Sequence, residues 1–179
     1  VLIPLLGTTF TFIAASLYLL VVALIGMGIT EGWRKAAVWL WMPVLLAVFA
    51  ALWAGGAFKT TPGQVYETES SYNYIEVVEQ NGYTLLRLND GQGVHSMYHP
   101  DVLDYAGPWQ QFLAGPFFYP QTGLEDVERI AIVGLAAGTT ARQATAVFGP
   151  LPIDGYEIDP KIIAVGQEYF CLLYTSDAA

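Results

Sequence analysis

Residues 129–170 read RIAIVGLAAGTTARQATAVFGPLPIDGYEIDPKIIAVGQEYF, and this stretch decides the fold. Ile130-Ala131-Ile132-Val133 is a continuous apolar run, the pattern of a strand buried on both faces of a parallel sheet. A glycine turn from Gly134 to Gly138 follows, then a helical stretch and a second strand that ends at Glu157. Asp159-Pro160 opens a further helix, with Asp as the cap and Pro in the first turn. Strand, glycine turn, helix, strand and terminal carboxylate, in that order, predict half of an α/β nucleotide-binding domain. Gly134 and Gly138 would form the ligand loop, and Thr139 or Thr140 would supply a hydroxyl where the helix amides point at the ligand. Glu157 lies 23 residues beyond Gly134, where a carboxylate can accept hydrogen bonds from both hydroxyls of a ribose. The loop is a degenerate form of G-x-G-x-x-G. A second reading stays open, in which the glycines only permit tight strand–helix packing and Glu157 is a solvated strand end.

Upstream lies a different pattern. Residues 72–80 (YNYIEVVEQ) and 83–88 (YTLLRL) are rich in aromatic and β-branched residues and flank Asn81-Gly82. Asn-Gly tolerates the positive φ of a type I′ turn and is a strong hairpin signal. Asn89-Asp90-Gly91 is another turn, and residues 92–98 form a third expected strand, so a small antiparallel meander precedes the α/β part. A helix is expected over residues 109–113, broken at Gly115-Pro116. His95 and His99 sit four apart, but on a strand that spacing is too long for joint chelation, and no metal is expected.

The first third of the chain belongs to another physical class. Residues 1–58 carry only Glu31, Arg34 and Lys35 as charges. Residues 1–27 and 36–57 are uncharged runs long enough to cross a bilayer as helices, with Trp39, Trp41 and Trp53 suited to the interfacial belt and Pro43 expected to kink the second. The reading is two transmembrane helices in a bacterial inner membrane. The breaker Thr60-Thr61-Pro62-Gly63 detaches them from the acidic remainder of the chain. From Thr60 onward 15 acidic residues face four basic ones, a balance that repels phosphate backbones and argues against nucleic acid as a partner. Loop charges Arg34 and Lys35 against Lys59 leave the orientation weakly specified; a nucleotide-derived ligand favours a cytoplasmic soluble domain. Cys171 is the single cysteine, so no intramolecular disulfide is expected.

Tyr156-Glu157-Ile158-Asp159-Pro160-Lys161-Ile162-Ile163, with Gly166 and Tyr169-Phe170, resembles the second motif of spermidine synthases, which are aminopropyltransferases. Ser70-Ser71-Tyr72-Asn73-Tyr74-Ile75 is similar to a segment in which that family carries Gln at the position of Asn73. Membrane spans ahead of Tyr66-Glu67-Thr68-Glu69-Ser70 and of Gly91-Gln92-Gly93-Val94-His95-Ser96 make the whole similar to spermidine synthase-like membrane proteins of bacteria. The resemblance implies N-terminal transmembrane α-helices, then a small antiparallel β meander and the first half of an α/β Rossmann-like (methyltransferase-type) domain. The implied division is 1–58 spans, 59–64 linker, 65–105 meander, 106–128 connecting helix and loop, 129–170 the truncated nucleotide-binding part, and 171–179 a non-native tail. The chain begins with Val, and residues 171–179 (CLLYTSDAA) leave the family pattern, so a fragment is expected at both ends.

What the resemblance implies for the site is specific. Gly134, Gly138, Thr140 and Glu157, with Asn73, would hold decarboxylated S-adenosylmethionine or S-adenosylmethionine as co-substrate. Arg142 matches a residue just after the loop. Leu135 and Ala136 replace glycines. Ala137 stands where active synthases carry an Asp beside the substrate amine, and Trp109-Gln110 lies near the family's Tyr-His pair. The family's catalytic Asp residues would fall after Phe170. The implied function is transfer of an aminopropyl or related alkyl group to a polyamine or other amine, with an oligomer possible. The alternatives are a non-catalytic adenosyl-ligand-binding or transport-associated membrane protein and an S-adenosylmethionine-dependent methyltransferase.

Overall fold

A computed structural model describes residues 2–53, 60–89 and 93–172 and divides the chain into two compact units, residues 1–60 and 61–179. Of the expectations above, residues 54–59, the Asp90-Gly91 half of a turn with Gln92, and residues 173–179 of the tail lie outside the described residues.

The first unit is helical. Helix α1 (Leu2–Glu31) contains a break at Gly7, whose φ is 74°. The 25 residues from Gly7 to Glu31 are long and apolar enough to cross a membrane, as are the 20 from Trp33 to Leu52. At 1.5 Å per residue the first amounts to about 38 Å of helix, against a hydrocarbon core of about 30 Å. Large apolar side chains such as Phe12, Ile29, Val44 and Leu52 are exposed around these helices. The second run is not one continuous helix. It divides into α2 (Trp33–Val38) and α3 (Trp41–Trp53) across Trp39-Leu40. The cause is Pro43, expected to kink this run: it has no amide proton for the Trp39 carbonyl four residues back, and its ring crowds that carbonyl. The Trp39 carbonyl is taken instead by the Met42 amide at 3.0 Å.

The second unit opens with a four-stranded antiparallel meander in sequence order: β1 (Gln64–Glu69), β2 (Tyr74–Gln80), β3 (Tyr83–Leu88) and β4 (Val94–Tyr98). The sequence pattern predicts three of these strands; β1 is missed because Gln64, Glu67 and Glu69 interrupt its Val65, Tyr66 and Thr68 and it follows a Pro-Gly breaker. Asn81 (φ 53°) and Gly82 (φ 82°) form the expected positive-φ turn between β2 and β3. Helix α4 (Trp109–Phe112) stops where expected, but the chain then continues as a 3₁₀ turn, Gly115–Phe118.

The remaining elements are β5 (Ile130–Val133), α5 (Thr139–Phe148), β6 (Ile153–Tyr156) and α6 (Pro160–Tyr169). Strands β5 and β6 pair in parallel, from Ile130 opposite Ile153 to Val133 opposite Tyr156. Arg129 grips Asp154 through two nitrogens at 2.6 and 3.0 Å, and holds that carboxyl below its usual range. Asp159 caps α6 by accepting from the Lys161 amide at 3.0 Å.

One buried cluster joins the two sheets' elements. Ile75, Val77 and Leu86 of the meander pack with Ala137, Ile162, Val165 and Phe170. Removing each large member from water stabilises the unit by about 1.5–3 kcal/mol. Tyr66 on β1 and Tyr169 on α6 extend the contact, with ring centroids 5.4 Å apart.

Candidate functional site

The loop between β5 and α5 leaves the C-terminal end of the parallel strands, the edge at which α/β sheets bind ligands. Three of its residues have positive φ: Gly134 (82°), Ala136 (50°) and Gly138 (88°). Every amide of the loop is committed within the chain. Those of Gly134 and Leu135 donate to the Tyr156 carbonyl at 2.9 and 3.0 Å, and Gly138 donates to Leu135 at 3.1 Å. The Ala136 amide donates to Glu157 Oε2 at 2.9 Å, and the Ala137 amide to Ser96 Oγ at 2.9 Å. A phosphate cradle needs amides aimed outward, so residues 134–138 do not form one.

Glu157 follows β6 directly and is half-buried. Its Oε1 accepts from the Asp159 amide at 3.1 Å, while Oε2 holds Ala136. An ionised carboxylate offers about four acceptor positions, so two amides leave one on each oxygen. Two adjacent hydroxyls of a sugar match that arrangement. At Gly134 a side-chain methyl would meet nothing within 4 Å, so the backbone there is open to close approach. At Gly138 the same methyl would lie 2.5 Å from Leu172 Cδ1, the end of a side chain that can shift, so the φ of 88° is the stronger reason for glycine there.

Asn73 reaches the same neighbourhood from the meander. Its Nδ2 donates to Asp159 Oδ2 at 3.1 Å, and its Oδ1 accepts from Asn89 Nδ2 at 3.3 Å. Ser70 Oγ also donates to Asp159 Oδ2. Asp159 is therefore fully buried with both oxygens engaged, and its own amide leads on to Glu157. The sequence identifies Asp159 as a helix cap and does not reveal its second role as the junction between Asn73 and Glu157. The Ser-x-x-Asn spacing of Ser70 and Asn73, which favours local side-chain turns, is the available signal.

The threonines divide. Thr139 is buried, and its hydroxyl accepts from the Met97 amide at 2.8 Å and donates to the Met97 carbonyl at 3.0 Å. That hydroxyl docks α5 on β4, which corrects the reading of Thr139 as a ligand group. Thr140 sits half-buried beside it at the helix N-terminus. Ser96, which holds the Ala137 amide, belongs to a motif noted above but has no role there. Arg142 is a clamp on the meander: Nη1 donates to the His99 carbonyl at 2.6 Å and the Tyr105 hydroxyl at 2.8 Å, with the guanidinium 4.5 Å from the Tyr98 ring centroid. Hydrogen bonding to Cys171, then burial, push the Tyr98 phenol above its usual value, against an opposing pull from Arg142.

Trp109 is 9 % exposed and donates to the His95 carbonyl at 3.4 Å, while Gln110 closes its own loop through Gly107 and Asp104. Ala137 is 2 % exposed and faces the core. His95 Nδ1 lies 3.2 Å from the Gly93 carbonyl and His99 Nδ1 accepts from the Asp101 amide at 3.1 Å. Among the described residues no group of three or more His, Cys, Asp or Glu side chains could hold a metal ion.

A parallel strand–loop–helix–strand unit with a carboxylate tethered at the C-terminal edge of its strands is the arrangement in which α/β sheets commonly hold small ligands. Over 116 residues, 65% of its length, the chain is 34% identical to the "probable polyamine aminopropyl transferase" of Bifidobacterium longum (strain NCC 2705). The match covers 25% of that protein, so the chain spans about a quarter of the length of the curated relative. No family model matches the chain. No solved structure matches it significantly.

Proposed function

We propose that the chain is the membrane-anchored part of a spermidine synthase-like transferase, and that its second unit is a Rossmann-like half binding decarboxylated S-adenosylmethionine or S-adenosylmethionine. The observation that carries this reading is the Glu157 carboxylate, fixed by two amides and keeping one acceptor position on each oxygen for the two ribose hydroxyls. The closed loop supports it, because an adenosyl sulfonium has no phosphate to cradle. Gly134 gives the ligand its approach, Thr140 lines the helix terminus, and Asn73 orients the region through Asp159. The similarity to a probable polyamine aminopropyl transferase supports the same class.

Such a ligand supplies a carbon made electrophilic by the adjacent positive sulfur. The protein's contribution is to hold it beside an amine acceptor and exclude other geometries. Fifteen acidic against four basic residues from Thr60 onward suit a cationic sulfonium and a polyammonium acceptor. Ala137, buried and apolar, offers no carboxylate to that acceptor. This one residue favours the second reading, a protein that binds an adenosyl ligand without transferring from it; a methyltransferase with another acceptor is the third.

Calorimetric titration of the intact protein in nanodiscs with decarboxylated S-adenosylmethionine, S-adenosylmethionine and methylthioadenosine tests the proposal. Binding of at least one is expected, with the decarboxylated form or methylthioadenosine tightest for an aminopropyltransferase; binding of none overturns it. The two apolar runs support an inner-membrane anchor, and we place the second unit in the cytoplasm, where such ligands occur. A thiol probe on Thr60→Cys in a Cys171→Ser background should react only from the cytoplasmic side. Reaction from outside contradicts that placement.

A further inference from the structure

Residues 105–124 read YAGPWQQFLAGPFFYPQTGL and contain no Asp, Glu, Lys, Arg or His, in a part of the chain otherwise dense in acid. The structure fixes the base of this segment and exposes its tip. Trp109 is buried against Tyr105 in an edge-to-face contact, ring centroids 6.3 Å apart, and Phe117 stacks on Phe148 of α5 at 6.3 Å. Beyond those anchors the 3₁₀ turn presents Phe118 at 84% exposure and Tyr119 at 75%, with Phe112 at 67%. The backbone of the tip is satisfied locally: Phe117 donates to Ala114 at 3.1 Å and Tyr119 to Pro116 at 3.2 Å. Pro116 and Pro120 have no amide proton to strand. An ordered apolar tip whose Phe117 and Tyr119 amides are already bonded can enter an interface without stranding those donors.

We infer that this tip is a lipid-docking surface, by which the second unit rests on the bilayer that holds its anchor. The inference relies on the proposed reading of α1 to α3 as membrane-spanning. Only seven residues separate Trp53 from Thr61, a tether of at most roughly 28 Å when fully extended. The second unit is thus confined close to the membrane surface. An anionic leaflet repels its acidic faces, and the uncharged segment is the part that can approach. Tyrosine is enriched at the water–hydrocarbon boundary, where it keeps its hydroxyl in water, and phenylalanine is among the apolar side chains that interfacial segments bury below it. Docking there would fix which way the ligand edge of the parallel strands faces.

The test uses the intact protein in a Cys171→Ser background, with an environment-sensitive fluorophore on single cysteines. The sites are Leu19→Cys in α1, Phe118→Cys at the tip and Gln167→Cys on the exposed side of α6. The protein is placed in phosphatidylcholine nanodiscs whose acyl chains carry bromine as a quencher. Phe118 is largely exposed, so its replacement leaves the fold intact. Strong quenching at Leu19→Cys is expected, with quenching at Phe118→Cys at least about twofold above that at Gln167→Cys. Quenching at Leu19→Cys with none at Phe118→Cys overturns the docking surface alone. A blue-shifted Phe118→Cys probe insensitive to bromine also overturns it, since the tip is then covered by protein, a second copy or another segment. Absence of quenching at Leu19→Cys overturns the anchor and the docking surface together.

Discussion

Ala136 and Glu157 are joined by a 2.9 Å hydrogen bond from backbone amide to carboxylate. The bond ties the loop after β5 to the end of β6, so the two strand ends act as one edge. It also holds Ala136 in a positive-φ conformation, an uncommon state for a residue with a side chain. The carboxylate thereby orients the loop while two amides occupy only one acceptor position on each oxygen.

Asp159 is expected to dominate the stability of this edge. Asp159→Ala removes a helix cap and leaves the Ser70 hydroxyl and the Asn73 amide without their acceptor. The predicted cost is about 2–4 kcal/mol, measurable by denaturant unfolding followed through tryptophan fluorescence. A loss below about 1 kcal/mol would mean that the buried junction contributes little beyond the cap.

Beside the buried cluster and the Arg142 clamp, two small side chains tie β4 to the loop and helix that follow β5. Ser96→Ala orphans the buried Ala137 amide, and Thr139→Val removes both bonds to Met97. Each should cost about 1–3 kcal/mol. The two sites adjoin, so the double variant should lose less than the sum; strict additivity in the same unfolding measurement would contradict a shared interface.

Much of this was legible in the sequence, for reasons that differ by element. The Asn81-Gly82 turn and the Asp159-Pro160 helix start are local signals, set by φ preference and capping. The apolar run places β5, but the expected burial on both faces is not met: Ala131 and Val133 are exposed, Val133 at 87%, with only β6 paired beside them among the described residues. Strand β1 was not legible, because two glutamates and a glutamine break up the strand formers Val65, Tyr66 and Thr68, and pairing with β2 completes it. The break at Trp39-Leu40 lies four residues ahead of Pro43, where the crowded carbonyl is, and not at the proline itself. Gly134, Gly138 and Glu157 could be placed from spacing. The commitment of all five loop amides could not, since Ser96 and Tyr156 reach them only in the folded unit.

Two glycines with nearly equal φ should respond differently to alanine. At Gly134 the added methyl enters open space, so Gly134→Ala incurs only the positive-φ strain, about 1 kcal/mol. At Gly63 it would sit 2.3 Å from the Glu79 carbonyl oxygen, and backbone must move. Gly63→Ala should cost about 2–4 kcal/mol, as an overpacked contact added to the same strain. Equal melting temperatures for the two variants would contradict this.

Tyr74 donates to Glu67 Oε2 at 2.7 Å, and burial first, then Glu67, push its phenol well above the usual value. A raised value means that the neutral phenol is favoured in the folded state. The stability it contributes is complete below the unfolded value of about 10 and is lost as pH rises beyond it. Tyr74→Phe should lower stability at pH 7 by about 1–2 kcal/mol, and the variant should then lose less than the parent between about pH 10 and 11.5. A parent protein whose unfolding midpoint does not move in that range would contradict the assignment.

The most direct test of the account is the affinity of the intact protein for decarboxylated S-adenosylmethionine, compared between the parent and Glu157→Ala by calorimetry. Loss of two charge-assisted hydrogen bonds to the ribose predicts weaker binding by about 1–3 kcal/mol, tenfold or more at the middle of that range. A 2′,3′-dideoxyribose analogue should lose less affinity on this substitution than the natural ligand, since it forfeits only the loop ties that Glu157 makes to Ala136 and Asp159. Equal affinity of parent and variant for the natural ligand would show that Glu157 does not hold the ribose, and the proposed site would be wrong.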